Sequence, residues 1–165
     1  IRFTLAGAIT ATLILPIQCV AEEYLCRGFM MQTFGSWFRL PWLAVILQAV
    51  IFTSMHVYDI AGLISILVMG LLMGVTTWLT RGLEASSACH IVNNMVALYV
   101  SGLGFEATSS DVGIASMLVS IAIDVLYTVL VIYIGKKRNW FKPKKDIVES
   151  FNEKKRRRLA FEDEP

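Results

Sequence analysis

Five stretches of this chain run for about the thickness of a bilayer with almost no formal charge. Residues 3–21, 40–58, 60–80 and 85–105 contain no Asp, Glu, Lys or Arg, and 112–135 is interrupted once, by Asp124. Roughly 20 apolar residues are enough to cross the hydrocarbon core as a helix. None of the runs sustains a period of two, so strands are not expected. The pattern predicts an all-α, polytopic transmembrane helical bundle with about five spans. Pro41 opens the second run, a residue tolerated in the first turn of a helix. Between the first two runs lies 24–39 (YLCRGFMMQTFGSWFR), amphipathic, with Phe29, Phe34, Trp37 and Phe38 among polar positions. It suits either an interfacial helix or the lower part of the first span.

Composition agrees. The chain is 56% hydrophobic and 17% charged, against about 25% charged residues in soluble domains. Eleven of the 15 Lys and Arg fall in 136–165, leaving Arg2, Arg27, Arg39 and Arg81 for the rest. The chain therefore divides into a membrane-embedded domain, 1–135, and a charged tail, 136–165. The run Lys154–Arg158 is attracted to anionic lipid, and a single basic run does not make a nucleic-acid surface, so no nucleic-acid partner is expected. Lys136, Lys137 and Arg138 put the tail on the cytoplasmic side by the positive-inside rule. Working back, the loop 102–112 with Glu106 and Asp111 is external, the Arg81 turn internal, the Asp59 turn external, and the Arg27–Arg39 segment internal.

The first run is too long for a signal-peptide core and leads straight into Glu22 and Glu23 rather than a small-residue cleavage site. The chain starts at Ile1 and is expected to be a C-terminal piece of a longer protein with more spans upstream. Cys19, Cys26 and Cys89 show no C-x-x-C spacing and read as packing residues. Gly70 and Gly74 form G-x-x-x-G, which lets helices approach closely in lipid.

Polar residues inside apolar runs are costly and mark function. Three sets stand out: Glu22, Glu23 and Arg27 as E-E-x-x-x-R; Phe52 and His56 as F-x-x-x-H; His90 and Asn94 as H-x-x-x-N. Residues four apart share a helical face, so each set is expected to point one way. Converged in a bundle, they supply two carboxylates, a guanidinium, two imidazoles and a carboxamide. That inventory suits hydrolysis. A glutamate acts as general base on a water held by His56, His90 and Asn94 donate to the developing oxyanion, and Arg27 pairs with Glu23. Glu22, His56 and His90 are also candidate ligands for a divalent ion such as Zn²⁺, although no H-E-x-x-H is present. Depth is a difficulty. His56 falls at the external end of its run while Glu22 and His90 fall at internal ends, so the second helix must be short, tilted or shifted inward.

In their order and spacing, the three motifs resemble the CPBP (Abi) family, intramembrane endopeptidases related to the type II CAAX prenyl protease. The resemblance covers about residues 5–135. It implies about eight spans in the whole protein and an active site in a cavity within the bundle. It places the catalytic base at Glu22, with supporting roles for Glu23, Arg27, His56, His90 and Asn94. It also implies a peptide or protein substrate in the lipid bilayer. Both a metal-dependent and a metal-independent glutamate mechanism accompany the family. A bacterial plasma membrane is the expected location. Asp124 belongs to none of the motifs; it is expected to face the cavity or to pair with Ser120 or Thr128. The rival readings are a non-catalytic membrane binder, such as a bacteriocin self-immunity protein on the same fold, and a small transporter, for which no internal repeat is present.

Overall fold

The computed structural model describes residues 4–103, 112–141 and 153. Glu106, Asp111 and the run Lys154–Arg158, on which part of the expected topology rests, lie outside the described residues. Among the described residues every regular element is helical. The elements are α1 (Leu5–Glu23), a π-helical segment (Tyr24–Met30), α2 (Met31–Phe38), α3 (Pro41–Ser54), α4 (Ile60–Thr80), α5 (Glu84–Gly102) and α6 (Ile114–Lys137). The Thr4 hydroxyl accepts from the Gly7 amide at the start of α1, and Asp59 caps α4 through the Gly62 amide. Arg39 and Arg81 end α2 and α4 in the left-handed conformation, each placing a cation at the negative end of a helix dipole.

The bundle is polar inside and apolar outside. Glu23, Arg27, Gln48, Thr76, Ser86, His90 and Asp124 are buried, while Leu13 and Ile17 of α1 and Ile123, Leu126 and Tyr133 of α6 are exposed. Such a distribution inverts the usual soluble one and fits a lipid surround. Five spans were expected. Among the described residues, three helical stretches are long and apolar enough to cross a membrane: Leu5–Phe38, Ile60–Thr80 and Ile114–Lys137. Helix α3 has only 14 residues, about 21 Å of rise. Helix α5 has the length but carries Ser86, Ser87, His90, Asn93 and Asn94 along it.

Of the two readings open for 24–39, the structure selects the lower part of the first helix. It does not stop at the glutamates. It continues through the π segment into α2, so 24–39 is the lower part of the same rod and Glu22 lies near its middle. The chain reverses at Arg39–Leu40, and α3 climbs back beside α2 and the π segment. Arg27 and Phe52 stand about equally far from that reversal, which brings them level. The short second helix thus starts deep and ends at the height of the site, resolving the depth difficulty.

Helix α4 packs against α3, α5 and α6, and α5 packs against α1. The α3–α4 contact runs through the glycines. A Cβ added at Gly70 would stand 3.3 Å from the Ala49 Cβ, and one at Gly74 would stand 2.6 Å from Gln48 Nε2. The close approach needs glycine at both places. The apolar core is small: Cys26, Phe52, Met69 and Met73, flanked by Met30, Ile66 and Cys89. Helix α5 is fastened mainly by polar contacts. The Thr77 hydroxyl donates to Ser86 at 2.9 Å, Tyr127 Oη to the Ala85 carbonyl at 2.7 Å, and Asn93 Nδ2 to the Met69 sulfur at 3.0 Å. The Tyr99 and Thr12 hydroxyls meet between α5 and α1.

Candidate active site

Glu23 is the hub. Its Oε1 accepts from Arg27 Nη1 at 2.7 Å, one turn later on the same rod, and from His90 Nδ1 at 2.9 Å. All three side chains are buried to within 1%. Charge-assisted hydrogen bonds of this kind are short and about twice as strong as neutral ones. The π-helical stretch begins directly after Glu23 and contains Arg27. Such i→i+5 stretches are rare and frequent at functional sites. Arg27 has two further contacts. Its guanidinium lies 4.4 Å from the centroid of the Phe52 ring, and Nη2 faces the Gly70 carbonyl at 3.4 Å. Removed from water, the cation is held by one carboxylate, one aromatic face and one helix carbonyl.

Glu22 is differently placed. Its side chain is 25% exposed and 3.7 Å from His90 Nε2, and Oε1 accepts from Gln18 Nε2 at 3.0 Å. The two adjacent glutamates therefore divide: Glu23 is buried and engaged through Oε1, its Oε2 having no hydrogen-bond partner among the described residues, while Glu22 is reachable. His90 stands between them. Because a carboxylate only accepts, the 2.9 Å contact requires a proton on Nδ1 of His90. Nε2 is then the ring atom turned toward Glu22.

His56 is not on a helical face with Phe52. Helix α3 ends at Ser54, and His56 follows in the turn before α4. It still joins the cluster, since its ring meets Phe52 edge-on at 4.7 Å, and Phe52 meets His90 the same way at 5.7 Å. Its Nδ1 contacts the Phe52 carbonyl at 2.8 Å. A carbonyl only accepts, so Nδ1 carries hydrogen and Nε2 of the neutral ring is left as an acceptor. Asn94 lies one turn after His90, and its Nδ2 donates to the Cys19 sulfur at 3.4 Å. The pair was expected to aim at one substrate oxygen. Instead both nitrogens of His90 are turned to carboxylates, and Asn94 reaches the rod one turn before Glu23.

The candidate metal ligands Glu22, His56 and His90 do not gather. Among the described residues no three His, Cys, Asp or Glu side chains form a group that could hold a metal ion. His90 Nδ1 and His56 Nδ1 are already committed to Glu23 and Phe52. Each ring keeps Nε2 open, as a metal-bound histidine would, but with Glu22 these atoms form no ready-made ion site.

Asp124 sits apart. It is buried between α4, α5 and α6, and pairs with neither Ser120 nor Thr128. Its Oδ1 faces the Cys89 sulfur at 3.8 Å and its Oδ2 has no hydrogen-bond partner. Thr128, one turn on, lines the same narrow seam with Met69, Met73, Thr76 and Ser86.

Gln48 was missed by sequence reasoning. It is fully buried, and its Nε2 donates to the Val45 carbonyl at 2.9 Å and the Gly70 carbonyl at 3.0 Å. The available signal was a carboxamide inside an apolar run, four residues before Phe52.

The fold and the site together define a helical membrane protein with a carboxylate–histidine–arginine centre inside its bundle. The family model of type II CAAX prenyl endopeptidase Rce1-like proteins matches residues 4–96, more than half of the chain, and the chain belongs to that family. No curated protein and no solved structure matches it. The match spans all three motifs and supports the CPBP (Abi) assignment, a CAAX-type intramembrane protease at the level of the family, and a peptide or protein substrate.

Proposed function

We propose that this chain carries the catalytic centre of an intramembrane endopeptidase in which Glu22 activates a water molecule for attack on a peptide bond. The observation that carries the reading is the unequal placement of the paired glutamates around His90. Glu23, neutralised by Arg27, holds the imidazole through Nδ1. That leaves Nε2 facing the reachable carboxylate of Glu22 across 3.7 Å. This gap is too long for a direct hydrogen bond and suits one bridging water. A water there donates one hydrogen to Glu22 and the other to His90 Nε2, and gives up the first as its oxygen attacks.

His56 contributes an acceptor nitrogen on the far side of Phe52 and helps to hold water or a substrate N–H. Asn94 spends one N–H on sulfur, a weak acceptor, and offers its amide to the oxyanion. The arrangement needs no metal for these steps. Residues 1–135 form the protease domain, the tail at 136–165 faces the cytoplasm, and a bacterial plasma membrane is the setting. The family's description makes a prenylated CAAX peptide one probe, and a peptide library covers the other substrates expected in a bacterium.

The test is cleavage by purified, liposome-reconstituted protein of a quenched-fluorescent farnesylated CAAX peptide and of a mixed peptide library. Each is run with and without chelator, beside Glu22→Gln. Cleavage that survives chelation and is lost in Glu22→Gln is expected. Activity that persists in Glu22→Gln removes it as the base, and activity abolished by chelator and restored by metal replaces the metal-free mechanism. No cleavage of any peptide by wild-type protein sinks the protease reading.

A further inference from the structure

Two of the elements around Arg27, α3 and α4, meet on one atom. The Gly70 carbonyl on α4 accepts from Gln48 Nε2 of α3 at 3.0 Å and faces Arg27 Nη2 at 3.4 Å. Gln48 is entirely buried, and its Oε1 has no hydrogen-bond partner. A buried carboxamide with one unmade bond is an unfavourable filler for an apolar helix face. Its neighbours are shaped to admit it. Gly74 leaves the space that a Cβ would take 2.6 Å from Gln48 Nε2, and Ala49 leaves room beside Gly70. One turn after Gln48, on the same face of α3, Phe52 puts its ring against the Arg27 guanidinium.

We infer that Gln48 is a positioning residue for the active site, acting on Arg27 through the Gly70 carbonyl. With Gln48 holding that carbonyl at the shorter distance, Arg27 has only a long, secondary share of it and directs its short bond to Glu23. Gln48 also ties α3 to α4, which fixes the Phe52 ring beneath the guanidinium. Without the carboxamide, the carbonyl becomes the guanidinium's to claim, and the Arg27–Glu23–His90 alignment loosens. Sequence motifs do not mark this role, because Gln48 touches none of the reacting groups. The inference rests on the protease reading for its kinetic consequence alone; the physical link between Gln48 and Arg27 is independent of it.

The experiment compares Gln48→Met, which keeps volume and removes the donor, with Gln48→Glu, which replaces the donor by a rival carboxylate for Arg27. Each is made alone and with Arg27→Lys. In reconstituted protein cleaving the farnesylated CAAX peptide, Gln48→Met lowers kcat by about 10- to 100-fold with KM within about 2-fold, the effect of a small misplacement. Gln48→Glu lowers it further. In the Arg27→Lys background the Gln48→Met effect shrinks, because the group it aligns has already been altered. Thermal unfolding in detergent gives a readout free of activity: the two substitutions are non-additive in Tm. Equal kcat per folded molecule in Gln48→Met, or effects on both kcat and Tm that simply add to those of Arg27→Lys, overturn the inference. Wild-type protein that cleaves nothing, with non-additive Tm shifts, leaves the Gln48–Arg27 link standing and removes the protease reading instead.

Discussion

Two buried carboxylates meet adjacent residues of α5, Glu23 at His90 and Asp124 at Cys89, and their surroundings differ sharply. Glu23 faces Arg27 and His90 at hydrogen-bonding distance, with the cation itself seated on Phe52. Asp124 faces one thiol at 3.8 Å in a seam lined by methionine, threonine and serine side chains, and each of the two carboxylates keeps one oxygen without a hydrogen-bond partner among the described residues. Burial of charge is repaid in the first case by a counter-ion and aligned donors, and in the second by almost nothing. A charged residue inside an apolar run is therefore an ambiguous signal. What separates a working centre from an isolated polar residue is whether other elements bring it opposite charge.

The sharpest break of the comparison lies beside Glu23. Glu22→Gln keeps shape and removes the acceptor for a proton. Turnover on the farnesylated peptide is expected to fall by about 10²- to 10⁴-fold, the contribution of a general base, with Tm nearly unchanged because Glu22 is the exposed member of the pair. A large fall in Tm would show that Glu22 belongs to the structural network, as Glu23 does.

Arg27→Ala comes next. It strands the Glu23 carboxylate in the interior, where breaking a buried pair costs about 3–5 kcal/mol. Unfolding of purified protein in detergent measures this, and an unchanged Tm would mean that Glu23 finds other compensation. Asn94→Ala is gentler on the fold, since among the described residues its side-chain partner is the Cys19 sulfur, a weak acceptor. If the amide serves the oxyanion, kcat falls by about 10²- to 10³-fold at near-constant KM. A fall in stability of about 0.6–2 kcal/mol with kcat intact would instead make Asn94 glue between α5 and α1.

How much of this was legible depends on where the information resides. The helical class, the inward-facing motifs and the packing role of Gly70 and Gly74 follow from residue type and spacing, which are local properties. The continuation of the first helix past Glu23 was open to two readings, because Arg27 resembles a boundary charge until its partner is seen. His56 shares a motif with Phe52, but the helix ends between them, and spacing alone does not say where a 14-residue helix stops. Gln48 was invisible for a different reason. Its importance comes from a carbonyl on another helix, and one amide in an apolar run carries no trace of that partner. Asp124 was conspicuous by charge, yet its expected partners on its own helix lost to Cys89 across the seam.

The smallest expected effect is the one that tests the comparison most directly, because it should carry the opposite sign. Replacing each buried carboxylate by its isosteric amide changes charge while leaving volume. At Glu23 the change removes the counter-charge of Arg27 and a strong acceptor for His90, so Glu23→Gln lowers Tm. Among the described residues Asp124 has no cation to abandon: its near contact is a weak thiol donor, in a seam of uncharged groups. Asp124→Asn relieves the desolvation of a charge and adds two N–H donors in a seam lined by Thr76, Ser86 and Thr128 hydroxyls. Stability should hold or rise, by about 1 kcal/mol, the net worth of one added hydrogen bond. Turnover should be little changed, since Asp124's side-chain contact is Cys89 and not Glu22, Glu23, Arg27 or His90. Parallel unfolding of the two variants decides it. A loss of Tm in Asp124→Asn as large as that in Glu23→Gln would mean that Asp124 has charged company as strong as Arg27, and that the two carboxylates are alike after all.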